Sequence, residues 1–293
     1  MFEEFKNAFG RPNNGHVQLI LINVAVFILL AILYVLTTVS GYGKVFSTVY
    51  NQFSLSPVPS EMLTRPWTLI TYGFSHSLSD IWHILFNMIS LYWFGRLFLE
   101  YLGNERLIAI YVLGVLAGGF LYLLLSNTVP FFQVHAASGM VGASAAIYAI
   151  MVGCATLVPD YTFFLLFFGP VRIKYIAFFF ILLSFLGTVS ANAGGNIAHL
   201  GGALLGFVYV RQLQRGRNIG GWITVVLTWI SRLFSRTPAI RVNYRRAPSS
   251  VPRKQATSSV SQQEIDAILD KISERGYDSL SREEKEKLFR AGK

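Results

Sequence analysis

The sequence has little charge and almost no cysteine, and each shortage excludes a class of protein. Of its 293 residues, 14% are charged and 53% are hydrophobic. Soluble domains carry about 25% charged residues, so a water-soluble globular domain is not expected. The single cysteine, Cys154, excludes an intramolecular disulfide and a cysteine metal cluster. We predict neither a cofactor nor a metal.

Long apolar runs are the dominant pattern of the chain. Several reach about 18 residues, the length needed to cross a hydrocarbon core of about 30 Å. The first run follows a mixed-charge start and lacks a small-residue cleavage site, so we interpret it as a span and not as a signal peptide. The pattern predicts an all-α, polytopic membrane protein. The six predicted spans are Gln18–Thr38, His83–Tyr101, Leu107–Leu125, a fourth that begins near Gly142, Tyr175–Val189 and Asn196–Val210.

The net charge is +10, and the positions of the basic residues indicate how the spans are oriented in the membrane. The basic residues lie between and after the apolar runs, where cytoplasmic loops and anionic lipid explain them better than nucleic acid does. The outer loops contain only Lys44 and Arg65 as cations. The positive-inside rule therefore places both termini in the cytoplasm, with membrane lipid and not nucleic acid as a partner. No transit peptide is recognised, so a bacterial inner membrane is expected.

The apolar runs and the composition divide the chain into four segments. Within the membrane domain, Gly41–Leu78 is too polar to span and is predicted to lie in the interface, and Asp160–Lys174 is predicted to be a turn at the inner face. The segments are an N-terminal cytoplasmic segment (1–15), a six-helix membrane domain (16–213), an interfacial helix with a basic linker (214–260) and a C-terminal helical hairpin (261–293).

The last two segments carry no catalytic pattern. Trp222–Phe234 is apolar but too short to cross a membrane, so an amphipathic interfacial helix is expected. In the hairpin, Ser261 with Glu264 and Ser281 with Glu284 each have the spacing of a capping box. The hairpin is predicted to be a docking element.

Polar side chains open three of the predicted spans, where burying an unpaired one costs about 1–3 kcal/mol. Each has a structural explanation as well as a functional one. A lone serine usually bonds its own helix backbone, a membrane histidine can be structural, and a glycine pair is most often a packing notch. The residues are His83 and Asn87 in the second span, Gly142, Ser144 and Tyr148 in the fourth, and His199, Gly202 and Gly206 in the sixth.

The predicted depth of these residues favours a functional explanation. In the topology above they lie near the outer ends of their helices. The sixth span has about 15 residues before Arg211, or roughly 22 Å, so it can begin below the outer surface. Its glycines allow a close approach between helices, which a Ser–His hydrogen bond requires. We therefore expect one site toward the outer face.

Serine and histidine in contact are the components of a nucleophilic hydrolase. A neutral histidine within about 3 Å can take the serine proton, which predicts Ser144 as nucleophile and His199 as base. The oxyanion of the intermediate needs donors, and His83, Asn87 and the Ser144 amide could supply them. No intramembrane Asp or Glu is placed to orient His199, so a dyad is predicted. Tyr148 is a candidate for holding the imidazole by stacking.

These motifs together resemble the rhomboid family of intramembrane serine proteases over roughly residues 16–213. The resemblance implies a serine endopeptidase that cleaves single-pass transmembrane proteins near the outer membrane face without a cofactor. It implies that Ser144 is the nucleophile and His199 its base. It also implies that His83 and Asn87 help to form the oxyanion hole and that Tyr148 stacks on His199. The matching motifs are His-x-x-x-Asn (His83, Asn87), Gly-x-Ser (Gly142, Ser144) and Ala-His-x-Gly-Gly (Ala198 to Gly202).

The sequence departs from the family pattern at two places. Ala145 stands where the family usually has the last glycine of Gly-x-Ser-Gly, and we expect the small side chain to be tolerated. Trp67-Thr68 stands where many relatives carry Trp-Arg, so no role is transferred there.

Two other functions stay open at this point. A catalytically inactive relative would bind or route membrane clients, and it is disfavoured because Ser144 and His199 are both present. A transporter would line a path with the same polar residues. Transporters usually show internal repeats and charged residues at mid-membrane, and the sequence has neither.

Overall fold

The computed structural model describes residues 13–135, 139–234 and 262–291. The chain divides into two compact units, residues 1–237 and 238–293. The first unit contains the predicted spans, and the second contains the C-terminal helices. The predicted linker and Ser261 of the first capping box lie outside the described residues, as does most of the N-terminal segment.

The membrane unit is almost entirely helical, with one short β-hairpin. Its helices are α1 (Gly15–Val39), α2 (Gly43–Tyr50), α3 (Pro59–Thr64), α4 (Thr68–Thr71), a 3-10 turn (Tyr72–Phe74), α5 (Ile81–Leu102), α6 (Asn104–Thr128), α7 (Pro130–His135), α8 (Ser144–Leu157), α9 (Ile173–Gly187), α10 (Ala193–Gln214) and α11 (Gly221–Phe234). Its strands are β1 (Thr162–Leu165) and β2 (Gly169–Arg172).

Six helices lie at the positions of the six predicted spans: α1, α5, α6, α8, α9 and α10. Three of them, α1, α6 and α10, are long and apolar enough to cross a membrane, and α8 and α9 are shorter apolar helices. Large apolar side chains project from the bundle, such as Leu29 at 67% exposure and Phe178 at 65%. Such side chains are stable in lipid and not in water. The predicted all-α polytopic membrane fold is confirmed.

Glycines on α10 allow it to pack directly against the backbone of α8. A Cβ at Gly202 or Gly206 would overlap the carbonyl oxygen of Ala145 or Ala149, respectively. The two glycines are one turn apart, as are the two alanines, so the contact repeats along both helices. Lipid offers no hydrophobic drive for helix association, and close van der Waals packing of this kind replaces it.

The sixth helix is longer than the predicted span, and the fourth helix is short. The sixth helix, α10, has 22 residues and begins at Ala193. The short helix is α8, whose 14 residues rise about 21 Å.

The predicted inner turn at Asp160–Lys174 contains a β-hairpin. Strands β1 and β2 pair antiparallel from Thr162 opposite Arg172 to Leu165 opposite Gly169. Gly169 has φ +67°, a conformation that glycine adopts without strain. Gly169 and Pro170 begin β2 directly after the turn at residues 166–168, and the two strands are too short to recognise by pattern.

The first loop is tied to the segment that precedes α8. Leu55 and Met140 exchange two backbone hydrogen bonds of 2.9 Å each. The Tyr72 hydroxyl donates to the Val115 carbonyl on α6 at 2.6 Å, and the Gly142 amide donates to the Tyr72 carbonyl at 2.9 Å. The interfacial loop thus fixes the backbone just before Ser144.

The C-terminal unit contains α12 (Gln262–Arg275), a 3-10 turn (Tyr277–Ser279) and α13 (Arg282–Ala291). The predicted capping box at Ser281 is confirmed: its amide donates to the Glu284 carboxylate at 2.7 Å, and the Glu284 amide donates to its hydroxyl at 3.3 Å. Two ion pairs, Lys271 with Glu284 and Lys287 with Glu264, join the helices.

Candidate active site

Ser144 and His199 are in direct contact. Ser144 is the first residue of α8, and His199 lies on α10 three residues before Gly202. The Ser144 Oγ and His199 Nε2 atoms are 2.7 Å apart, which is hydrogen-bond distance. The glycine packing of α10 on α8 makes this contact possible. Both side chains are partly buried and line a cavity.

One face of the His199 ring and its Nδ1 atom also have contacts. The Tyr148 ring, one turn after Ser144, stacks on the imidazole with centroids 4.3 Å apart and an angle of 10° between the planes. The Ser184 hydroxyl of α9 lies 3.1 Å from His199 Nδ1. Sequence reasoning missed Ser184. A signal was present, because Ser184 is the one polar side chain between Ile176 and Gly187 in the sequence.

Gly142 leaves space beside the serine. Its φ is +138°, a conformation that favours glycine. A Cβ at this position would lie 2.9 Å from His83 Nε2 and 3.5 Å from Ser144 Oγ. A substrate atom in the same space would therefore be within reach of both side chains, which is the arrangement that an acyl-transfer site requires.

Asn87 lines the same cavity as His83, one turn further along α5. Its Nδ2 atom donates to the His83 carbonyl at 2.8 Å. A carboxamide nitrogen carries two N–H groups, so one remains for a ligand. The Ser144 amide is in the first turn of α8, where helix amides have no intrahelical acceptor.

Ala145, the departure from the family pattern, is accommodated by a glycine on α6. Ala145 is 1% exposed. A Cβ at Gly118 would lie 2.6 Å from the Ala145 Cβ, so the methyl group fits only because residue 118 has no side chain. This pairing of Ala145 with Gly118 explains why the extra carbon does not separate the helices.

The cavity beside Ser144 has a volume of about 600 Å³. It is lined by α5, including Trp82 and Phe86, by Phe180 of α9 and by the residues that precede α10. Asp80 lies at its rim and accepts a hydrogen bond from the Trp82 amide at 3.0 Å, which caps α5. Five of the lining side chains are aromatic, and an apolar peptide segment can pack against them.

The described parts of the chain contain no group of three His, Cys, Asp or Glu side chains that could hold a metal ion. The site instead combines a serine, a histidine that contacts it, and donors around an open space. This set of groups is that of serine-based acyl transfer.

Comparisons with known proteins agree with the motifs. A model of the Rhomboid domain matches residues 63–215. A mitochondrial RHOMBOID-like protein 12 of Arabidopsis thaliana is 35% identical over 163 residues, which is 52% of this chain and 48% of the relative. Rhomboid protein 1, mitochondrial, of Saccharomyces cerevisiae is 29% identical over 159 residues, 51% of this chain and 42% of the relative. The chain thus spans about half the length of these two relatives.

A third relative and a second family model extend these findings. The chloroplastic Rhomboid-like protein 16 of Arabidopsis thaliana is 29% identical over 226 residues, which is 73% of this chain and 66% of the relative. A family of unknown function, DUF6576, matches residues 257–291, which include the C-terminal helices.

The comparisons correct the expected location. A bacterial inner membrane is wrong, because these relatives are mitochondrial and chloroplastic and point to organellar membranes. That expectation rested on N-terminal composition, whereas the similarity lies in the membrane helices. The integral membrane character of the protein agrees with the relatives.

Proposed function

The chain belongs to the rhomboid family, and on that premise we propose that it is an intramembrane serine endopeptidase in which Ser144 and His199 form the catalytic pair. The observation that carries the proposal is the 2.7 Å contact between Ser144 Oγ and His199 Nε2. A serine that bonded only its own helix backbone would not make this contact. The substrates are single-pass membrane proteins, and the partners are such substrates and membrane lipid.

The first half of the reaction forms an acyl-enzyme. His199 Nε2 takes the Ser144 hydroxyl proton while Oγ attacks the scissile carbonyl carbon. The resulting tetrahedral intermediate collapses when His199 returns the proton to the leaving amine. In the second half, His199 deprotonates a water molecule that attacks the ester, and the proton returns to Ser144 Oγ as the new carboxyl end leaves.

The oxyanion is held by donors around the space beside Gly142. His83 Nε2, the free N–H of Asn87 and the Ser144 amide supply these donors in the proposal. Each is worth about 10²–10³ in rate in related chemistry. Gly142 keeps the space open, because a side chain there would occupy the position of the oxyanion.

The position of the site indicates where substrates are cut. His83, Ser144 and His199 lie on the same end of the bundle, near the first residues of α5, α8 and α10. Cleavage is therefore proposed near one membrane face, which is the outer face in the predicted topology. The proposal sets Ser144 below that surface, and the 14-residue length of α8 supports this depth.

A helical substrate must unwind before it can react. A regular helix keeps its carbonyls bonded internally, so none is available to the oxyanion donors. Glycine and proline lower the cost of unwinding by about 1 and 3 kcal/mol relative to alanine. A substrate span with small and helix-breaking residues in its outer half should be cleaved, and an all-leucine span should not.

The experiment mixes both spans with the detergent-solubilised protein and maps the products by mass spectrometry. The wild type should cleave the first span only, and Ser144→Ala should cleave neither while keeping its thermal stability. Ser126→Ala is a matched control, because Ser126 is buried on α6 and does not line the cavity. Substantial turnover by Ser144→Ala, or equal cleavage of both spans, would overturn the proposal.

A further inference from the structure

The two nitrogens of His199 have different partners, and a general base needs them in different states. Nε2 must be unprotonated to take the Ser144 proton. In a neutral imidazole the hydrogen then sits on Nδ1 and needs an acceptor. The Ser184 hydroxyl lies 3.1 Å from Nδ1 and is positioned to accept it.

The Ser184 hydroxyl is free to accept because its own proton has another destination. It donates to the Tyr148 hydroxyl at 2.8 Å. The Tyr148 hydroxyl donates in turn to the Phe180 carbonyl at 3.3 Å. His199, Ser184, Tyr148 and the Phe180 carbonyl thus form a series of hydrogen bonds in which every hydrogen points away from His199. The series ends on the backbone of α9.

The Phe180 carbonyl shows that Ser184 is not an ordinary serine bonded to its own helix. A serine inside a membrane helix usually bonds the carbonyl four residues earlier, which for Ser184 is the carbonyl of Phe180. That carbonyl instead accepts the Tyr148 hydroxyl. The Ser184 side chain, which is 1% exposed, bonds across helices to α8 and α10.

The donor-to-acceptor direction of these hydrogen bonds selects one tautomer of His199. If Ser184 donated to Nδ1, the ring hydrogen would move to Nε2 and point at Ser144, and the ring could not act as a base. Tyr148 prevents this by accepting the Ser184 proton. Its ring also stacks on the imidazole, so one residue controls both the plane and the protonation of the base.

We propose that Ser184 is a positioning residue that holds His199 in the tautomer required for attack, so that the predicted dyad works as a Ser144–His199–Ser184 relay. This inference rests on the proposed peptidase function. Ser184 touches neither Ser144 nor the space beside Gly142, and it acts only through His199. The role is that of the third group that orients a base in other nucleophilic enzymes.

The test compares variants of the full-length protein in the cleavage assay. Ser184→Ala should lower kcat roughly 10–100-fold and leave KM within about twofold, because general-base catalysis contributes about 10²–10⁴ in rate and part of it is lost. Ser184→Thr keeps the hydroxyl and should recover most of the activity. Tyr148→Phe keeps the stacked ring, loses the acceptor for Ser184, and should show an intermediate loss.

A spectroscopic readout distinguishes positioning from packing. With nitrogen-15 histidine, the wild type should show His199 with the hydrogen on Nδ1, and Ser184→Ala should show a mixture of tautomers. His199→Ala identifies the signal. Ser126→Ala, which removes a buried hydroxyl outside the site, should change neither kcat nor the spectrum.

Two results would overturn the positioning role: wild-type kcat in Ser184→Ala, or an unchanged His199 tautomer with activity that falls only in step with thermal stability. Ser144→Ala in the same assay keeps the two proposals apart. If Ser144→Ala is inactive and Ser184→Ala is unaffected, only the relay fails. If Ser144→Ala still cleaves, the peptidase function fails.

Discussion

The site end of the membrane unit and the C-terminal unit are stabilised by opposite kinds of contact. Around Ser144, helices meet through glycine and alanine backbones, and the side chains of Ser144, Tyr148 and His199 contact one another while partly buried. Between α12 and α13, long charged side chains pair at the surface, and burial is limited to residues such as Ile268 and Leu280. A change of one carbon should therefore matter at the site end, and a change of one charge should matter little at the other.

The geometry explains this difference in tolerance. At the site end a Cβ at Gly202 would overlap backbone atoms, which cannot move aside. In the C-terminal unit a Cβ at Gly276 would meet nothing within 4 Å, although its φ of +79° still favours glycine. Close packing fixes the distance between Ser144 and His199, whereas surface charges fix no site in the described residues of the hairpin.

The largest effect is expected from Gly202→Val. The new side chain would push α10 away from α8 and separate His199 from Ser144. Overpacking costs about 1–3 kcal/mol where side chains can adjust, and a backbone clash should cost at least the upper end. Loss of cleavage and a large fall in thermal stability are expected in detergent. Leu204→Val, on the exposed face of the same helix, is the control; equal stability of the two variants would break the comparison.

Gly142→Ala should remove activity with a smaller loss of stability. The methyl group would enter the space between His83 and Ser144, and the backbone strain at φ +138° would add about 1–3 kcal/mol. We expect cleavage to fall at least 10²-fold. Gly43→Ala is the matched control, since a Cβ there meets nothing within 4 Å. Turnover near wild type in Gly142→Ala would remove Gly142 and its open space from the mechanism.

Asn87→Ala sharpens the account of the oxyanion donors. Loss of one donor should lower kcat by about 10²–10³ and leave measurable activity, because His83 and the Ser144 amide remain. Asn127→Ala is a useful control: Asn127 also donates to the carbonyl four residues earlier, but it lies outside the cavity. If both variants cleave like the wild type, Asn87 serves only to pack α5.

The smallest effect on activity is expected from the C-terminal unit. Lys271 and the Ser281 amide lower the pKa of Glu284 to about 2, from 4.5. A carboxyl group whose pKa is lowered by folding stabilises the folded unit above pH 4.5, and this contribution is lost as the pH falls toward about 2. Relative to the intrinsic exchange rate at each pH, the protection of α12 and α13 against hydrogen exchange should therefore fall over that range, and Glu284→Gln should be less protected at neutral pH.

Cleavage by Glu284→Gln should match the wild type at neutral pH. A variant that exchanges normally but loses cleavage would show that the charged hairpin contributes to the site, and the contrast between the two regions would then be wrong.

Hydropathy predicted the helices of the membrane unit. The three motifs predicted that His83, Ser144 and His199 lie at the same end of the bundle. Sequence patterns failed at helix ends. The sixth span was predicted to begin at Asn196, whereas α10 begins at Ala193 and includes Gly194 and Gly195, which are poor helix formers. Ala193 is fully buried, so packing overrides propensity there. At its other end the predicted span stops at Val210, where the apolar residues end. The helix α10 continues to Gln214, because hydropathy predicts where a helix leaves the lipid and not where the helix ends.

Ser184 could not be placed from the sequence because its partners lie on other helices. It is a single hydroxyl in an apolar span, which a structural serine also matches. Only the packing of α9 against α8 and α10 shows that it reaches Nδ1 of His199. Gly118 is similar: its role opposite Ala145 depends on a contact between α6 and α8 that no spacing reveals.

Covalent labelling by a fluorophosphonate probe tests the central claim most directly. The probe reacts with a serine only where a base activates it, so mass spectrometry of the labelled wild type should place the adduct on Ser144. Ser144→Ala should carry no adduct, and His199→Ala should label far more slowly although Ser144 is intact. A folded wild type without an adduct on Ser144, or equal labelling of wild type and His199→Ala, would contradict the account.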